Sequence, residues 1–244
     1  MITHDDAPET PALLLAAARN NADWCDAVCR GHGLRPEFTA GAWTSALRTP
    51  TLYPDAVSLT PDASASALVA AIDTASPGCS VKDSFAVLDL AGHGFEVLFE
   101  AQWIHRPAGA AAPAGAADMR LEWSEVASAE ALEEWEAAWD GEESAGLFRP
   151  SLLGEDSLFL AGRAEGRIVA GAVATTGGGV IGVSNLFAGD EADTDAAWAA
   201  VLARIGARWP DLEVVGYESG DDLDAAVRAG FAPLGPLRVW LRTA

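Results

Sequence analysis

Apolar residues recur along this chain with two periods, and the switches between them mark its elements. In the first part, Leu13, Leu14, Ala17, Trp24 and Val28 fall at helical spacing and predict a helix over about 10–30. "WTSALRTP" and "TLYPDAVSLTP" (43–61) read as extended segments, interrupted by Pro50, Pro54 and Pro61. "SASALVAAIDTA" (64–75) predicts a helix, and 79–106 reads as strand, short helix, strand.

Beyond residue 118 the pattern is sharper. "MRLEWSEV" (119–126) alternates as a strand does. "ASAEALEEWEAAW" (127–139) sets Leu132, Trp135 and Trp139 on one helical face with acids outside. The run 156–189 is apolar and β-branched; Gly166 and Gly177–Gly179 divide it into three strands. Gly177–Gly179 precedes a strand and not a helix, so it is a turn and not a phosphate cradle. A helix follows over about 194–209, with Trp198, Val201, Leu202, Ile205 and Trp209 on one face and Pro210 as its stop. A strand (212–219), a short helix (220–230) and a last strand (234–242) complete an α/β order with a mixed sheet.

"RPAGAAAPAGAAD" (106–118) lacks large apolar residues and reads as a linker, giving units 1–105 and 119–244. Two segments on either side of it are alike. "SVKDSFAVLDLAGHGFEVLFEAQWIHR" and "VVGYESGDDLDAAVRAGFAPLGPLRVWLR" each run strand, helix, Gly-Phe, then a strand with a Trp near its end. This points to an internal repeat. The open sheet edges of two such units would pair, or the last strand of one would complete the other's sheet.

Charge narrows the partners. The net charge is -21, with 36 acids against 15 bases, and both halves are acidic. Such a field disfavours nucleic acid and anionic membranes, which need clustered Lys or Arg, and favours cationic or amine ligands, with solubility alone as the plainer reading. A small-molecule amine or a protein is the expected partner. A monomer or a homodimer is expected. Three cysteines form no disulfide framework, and no leader or membrane-length apolar run is visible, so a reducing, cytoplasmic setting is expected. Cys25, Cys29 and His32 share a helical face that zinc would accept, but no second ligand pair stands near; two buried cysteines are the simpler reading. Lys82-Asp83 reads as a surface ion pair.

The element order from Met119 onward, with "GYESGDDLDAAVRAGFAPLGPLRVW" and its Gly230-Phe231 at a helix end, resembles the GNAT superfamily of acyl-CoA-dependent N-acyltransferases. The first half resembles a shortened second copy. The resemblance implies a tandem α/β fold with a central mixed sheet flanked by helices. It also implies acetyl-CoA as acyl donor, an amine as acceptor, and a cofactor loop of pattern [Arg/Gln]-x-x-Gly-x-[Gly/Ala] before the third family helix. Here that loop is "LFAGDEADTDAAW", in which Gly189 is the small residue near the turn and no Arg or Gln precedes it. Asp190, Glu191, Asp193 and Asp195 crowd the seat that would hold pyrophosphate, as a self-capped helix would. The family's Asn and general-acid Tyr fall at Ser219 and Ala226, so that acid is missing from its usual place.

The resemblance places Val183, Ser184, Asn185 and Leu186 along the acyl arm, with Gly189 and Ser219 as further cofactor positions. Tyr217 and Glu218, at the end of the next strand, are then the candidate acid and base. Core packing for Tyr217 and an exposed strand end for Glu218 are the alternatives. The rival function is a non-catalytic GNAT-like protein that binds a partner or a small ligand in the same cleft.

Overall fold

The computed structural model describes residues 9–111, 113, 121–141, 144–189 and 192–242. The first half contains α1 (Glu9–Gly31), β1 (Glu37–Phe38), β2 (Ala42–Thr44), β3 (Ala56–Ser58), α2 (Ala65–Ala70), β4 (Ser80–Asp83) and β5 (Phe95–Arg106). The second contains β6 (Glu122–Glu125), α3 (Ala129–Asp140), β7 (Ser157–Ala164), β8 (Arg167–Gly177) and β9 (Val180–Ala188). It continues through α4 (Thr194–Arg208), β10 (Val214–Glu218), α5 (Gly220–Arg228) and β11 (Ala232–Arg242). The predicted order of elements is the observed one. Two short pieces were not predicted: β1, and a 3₁₀ turn at Pro150–Leu152.

One expected helix is shorter than its apolar pattern. The run 64–75 is helical only to Ala70. Beyond it, the Asp73 carboxylate accepts from the backbone N–H groups of Ala75 at 2.9 Å and Ser76 at 3.2 Å. This local turn competes with the helix for the same donors.

The described strands form one mixed sheet of order β1-β2-β3-β4-β11-β5-β10-β9-β8-β7-β6. The last strand of the chain thus lies between two strands of the first half, antiparallel to both. In return β5 lies between β11 and β10, again antiparallel to both. Outward from this central pair the pattern repeats. β10 is parallel to β9 on one side, and β4 is parallel to β3 on the other.

Strand alternation explains the layers. Phe159, Ala161 and Val173 face a core with Trp24, Val28, Leu132 and Trp135, which belong to α1 and α3. Their neighbours Leu158, Leu160, Ala172 and Ala174 face a second core with Trp198, Val201, Ile205 and Ala226, from α4 and α5. Successive strand residues point to opposite faces, so the sheet here is covered on both. α1 belongs to the first half in sequence yet crosses β8 and β9. Its Asn20 amide donates to the carbonyls of Thr175 at 3.0 Å and Gly177 at 3.3 Å. The approach is so close that a Cβ at Gly182 would lie 1.8 Å from the Asn20 Oδ1. Glycine is required there because only a missing side chain leaves room for the helix.

The two parallel pairs differ at their open ends. β3 and β4 are in register at Ala56↔Val81 and Val57↔Lys82. Just beyond, Ser58 Oγ accepts from the Ser84 N–H at 2.8 Å, and the Asp83 carboxylate accepts from Phe85 and Leu88. That opening is filled by the chain itself. The opening between β9 and β10 is not closed in this way.

Candidate functional site

β9 and β10 are paired in parallel only at Val214↔Ile181 and Val215↔Gly182. Beyond these residues the strands part, and a cavity of about 300 Å³ opens at their C-terminal ends. Two features of the chain produce the parting. β10 stays in register with β5 along its whole length, from Val214↔Arg106 to Glu218↔Gln102, and so follows β5 and not β9. β9 carries a bulge, with Gly171↔Phe187 and Val173↔Ser184 as successive pairs against β8. Asn185 sits in the bulge with φ 52°, a left-handed conformation that Asn tolerates better than most residues.

The bulge turns two polar groups inward. Ser184 Oγ and Asn185 Oδ1 are buried and have no hydrogen-bond partner among the described residues. Buried polar atoms are nearly always paired with protein or water, so these two at the cavity wall are open to the hydrogen bonds of a water or a ligand. Val183, Leu186, Tyr217 and Glu218 line the same cavity. Of the residues expected at the site, these six come together. Gly189 follows the end of β9, and Ser219 is the exposed N-cap of α5; neither lines this cavity.

Glu218 is the chemically distinctive member. Burial, with a contribution from Asp222, pushes its carboxyl up to about 8. No hydrogen bond reaches it from the described residues. A carboxyl held near neutrality in a cleft is suited to take a proton from an ammonium. Tyr217 packs edge-on against Trp103, with ring centroids 5.6 Å apart.

The other wall comes from the first half of the chain. Asn21, Trp24 and Cys25 of α1, Tyr53 from the loop before β3, and Lys82 of β4 all line the cavity. Lys82 corrects the expectation of a surface ion pair. It is 4% exposed, and Asp83 is fully buried. Adjacent strand residues point to opposite faces, so the two do not meet. Lys82 Nζ donates to Asn21 Oδ1 at 2.9 Å and lies 4.0 Å from the centre of the Tyr217 ring. Sequence reasoning missed this lysine as a site residue. The available signal was that it is the chain's single lysine and lies in a strand.

Cys25 and Cys29 are buried in the α1 core, and burial pushes the Cys25 thiol up to about 11. His32 Nε2 lies 2.7 Å from the Leu147 carbonyl. Among the described residues no group of three or more His, Cys, Asp or Glu is placed to hold a metal.

At the expected phosphate seat, Asp193 is the N-cap of α4, and its carboxylate accepts from the Ala196 N–H at 2.8 Å. Asp195 is held by Arg228 of α5, with contacts of 2.8 to 3.1 Å. Asp190 and Glu191 lie outside the described residues.

No family model and no curated protein matches the sequence. Solved structures match its fold. A GCN5-related N-acetyltransferase from Kribbella flavida is 19% identical with a TM-score of 0.61, over 91% of this chain and 95% of that one. A protein of the GNAT family from Novosphingobium aromaticivorans is 12% identical with a TM-score of 0.57, over 94% and 99%. A conserved protein of unknown function from Staphylococcus epidermidis is 12% identical with a TM-score of 0.57, over 82% and 83%. Over nearly its whole length, this chain has the GNAT fold, that of the GCN5-related N-acetyltransferases.

Proposed function

We propose that the opening between β9 and β10 transfers an acyl group from an acyl-CoA thioester to an amine. The observation that carries this reading is the convergence of a half-buried carboxyl near neutrality with two orphan polar atoms in one strand parting. Glu218 takes the proton that the acceptor's ammonium loses. Ser184 Oγ and Asn185, at the bulge, hold and orient the reacting groups, and Tyr217 is the candidate donor to the departing sulfur. Bound acyl-CoA supplies the activated carbonyl: the amine nitrogen forms the new C–N bond, the C–S bond breaks, and the thiolate leaves to be protonated.

The residues suit the two ends of such a donor unequally. The orphan atoms and the open strand pair suit the thioester arm. The diphosphate end would face the Asp193 carboxylate, which already takes a helix N–H that phosphate would use. This second observation favours the rival, a GNAT-like protein that binds a small ligand or a partner without transfer.

We also infer that the chain is two GNAT-like units, 1–105 and 119–244, the first shortened. The mirrored order of parallel and antiparallel pairs about β11 and β5 supports this division.

Thermal unfolding with and without acetyl-CoA separates the readings. A bound ligand at a hundred times its dissociation constant adds about 2.7 kcal/mol. A clear rise in Tm, with thiol release when an amine is added, is the expected result. An unchanged Tm at millimolar acetyl-CoA, with no thiol released, sets the acetyl-transfer reading aside in favour of the rival.

A further inference from the structure

The cleft contains a buried cation that no acid among the described residues pairs with. Lys82 is the only lysine in a chain with 36 acidic residues. Its ammonium has three N–H donors. One meets Asn21 Oδ1, and one side of the group lies over the Tyr217 ring. Neither partner carries a negative charge. Asp83 is spent on the opposite face, on the backbone of Phe85 and Leu88. Glu218 lines the same cavity, but no ion pair joins it to Lys82 among the described residues. A desolvated cation lacking a counter-charge is costly, and an anion from a ligand would offset that cost.

The surroundings define what carries the anion. Lys82 and Tyr217 line both this cavity and a second one of about 430 Å³. Leu52, Tyr53 and Pro54 also belong to both. The second cavity is walled largely by apolar side chains, among them Pro50, Leu98, Phe99, Val239 and Leu241. The first cavity therefore offers a cation and a carboxyl, and the second, which shares the Lys82 and Tyr217 wall, a largely apolar lining.

We propose that the acceptor is an α-amino acid with an apolar side chain. Its carboxylate sits on Lys82, its amino group faces Glu218, and its side chain enters the apolar cavity. The fate of the amino group rests on the acyl-transfer reading; the carboxylate site does not.

Calorimetric titration with phenylalanine, phenethylamine and 3-phenylpropionate, without any acyl donor, tests the site directly. A charge-assisted contact of this kind should make phenylalanine bind about 10- to 100-fold more tightly than phenethylamine. Lys82→Met should abolish that difference and Lys82→Arg should retain part of it, with circular dichroism melts verifying that each variant folds. The wild-type series decides the matter even if the variants do not fold. Equal or tighter binding of phenethylamine, survival of the preference in a folded Lys82→Met protein, or no binding of any of the three at millimolar concentration overturns the proposal. Thiol release from acetyl-CoA with phenylalanine is measured separately. Selective binding without thiol release would leave the carboxylate site standing and remove the acyl-transfer reading.

Discussion

Glu218 shows how one side chain links stability to chemistry. Its carboxyl rises on folding to about 8 because burial penalises the anion and Asp222 adds like charge. As a base it works only when ionised, so the transfer rate should climb with pH and level off above about 8. Glu218→Gln should lower the rate by about 100- to 10,000-fold and remove that climb, as read from initial rates across pH. The same shift acts on stability with a definite sign. The folded state keeps a proton that the unfolded chain releases above the ordinary carboxylate range. Its stabilising contribution is therefore complete below that range and is lost as pH rises toward about 8. Denaturant titrations should show the Gln variant gaining on the wild type as pH is raised. Glu218 and Tyr217 were legible in the sequence as the end of a strand opening on a cleft. Lys82 was not, because sequence spacing cannot say that α1 and Tyr217 will cover that face of β4.

At the scale of elements, the start of α4 decides how the fold treats a phosphate. Asp193 satisfies a helix donor and also brings a negative charge to the seat. These two effects separate by substitution. Asp193→Asn keeps a capping oxygen, so stability should change by less than about 0.5 kcal/mol, whereas Asp193→Ala should lose about 1 kcal/mol. With the charge gone and the cap kept, the Asn variant should bind acetyl-CoA several-fold more tightly in low salt, as measured by calorimetry. The gain should shrink as salt screens the site. The cap was readable from "GDEADTD" before a helical pattern. The early end of α2 was not, because a single Asp73 turn outcompetes an apolar rhythm that otherwise runs on.

At the scale of the whole molecule, each half supplies what the other lacks. Without β11, strands β4 and β5 have no strand between them to pair with. A chain ending at residue 111 should therefore show no cooperative unfolding transition by circular dichroism. Co-expression with residues 112–244 should restore one, since the missing partner strand returns. The sequence by itself determined the elements, their order and the resemblance to a known fold, because periodicity, glycine turns and caps act within a few residues of each other. The resemblance also put Ser184 and Asn185 along one strand and Tyr217 and Glu218 at the end of the next. Tertiary structure alone decided that the sheet is continuous, that the final strand crosses into the first half, and that Lys82, Asn21 and Tyr53 wall a cleft begun by β9 and β10. Those outcomes depend on contacts between residues far apart in the chain, and which face a strand buries is settled only when distant elements pack against it.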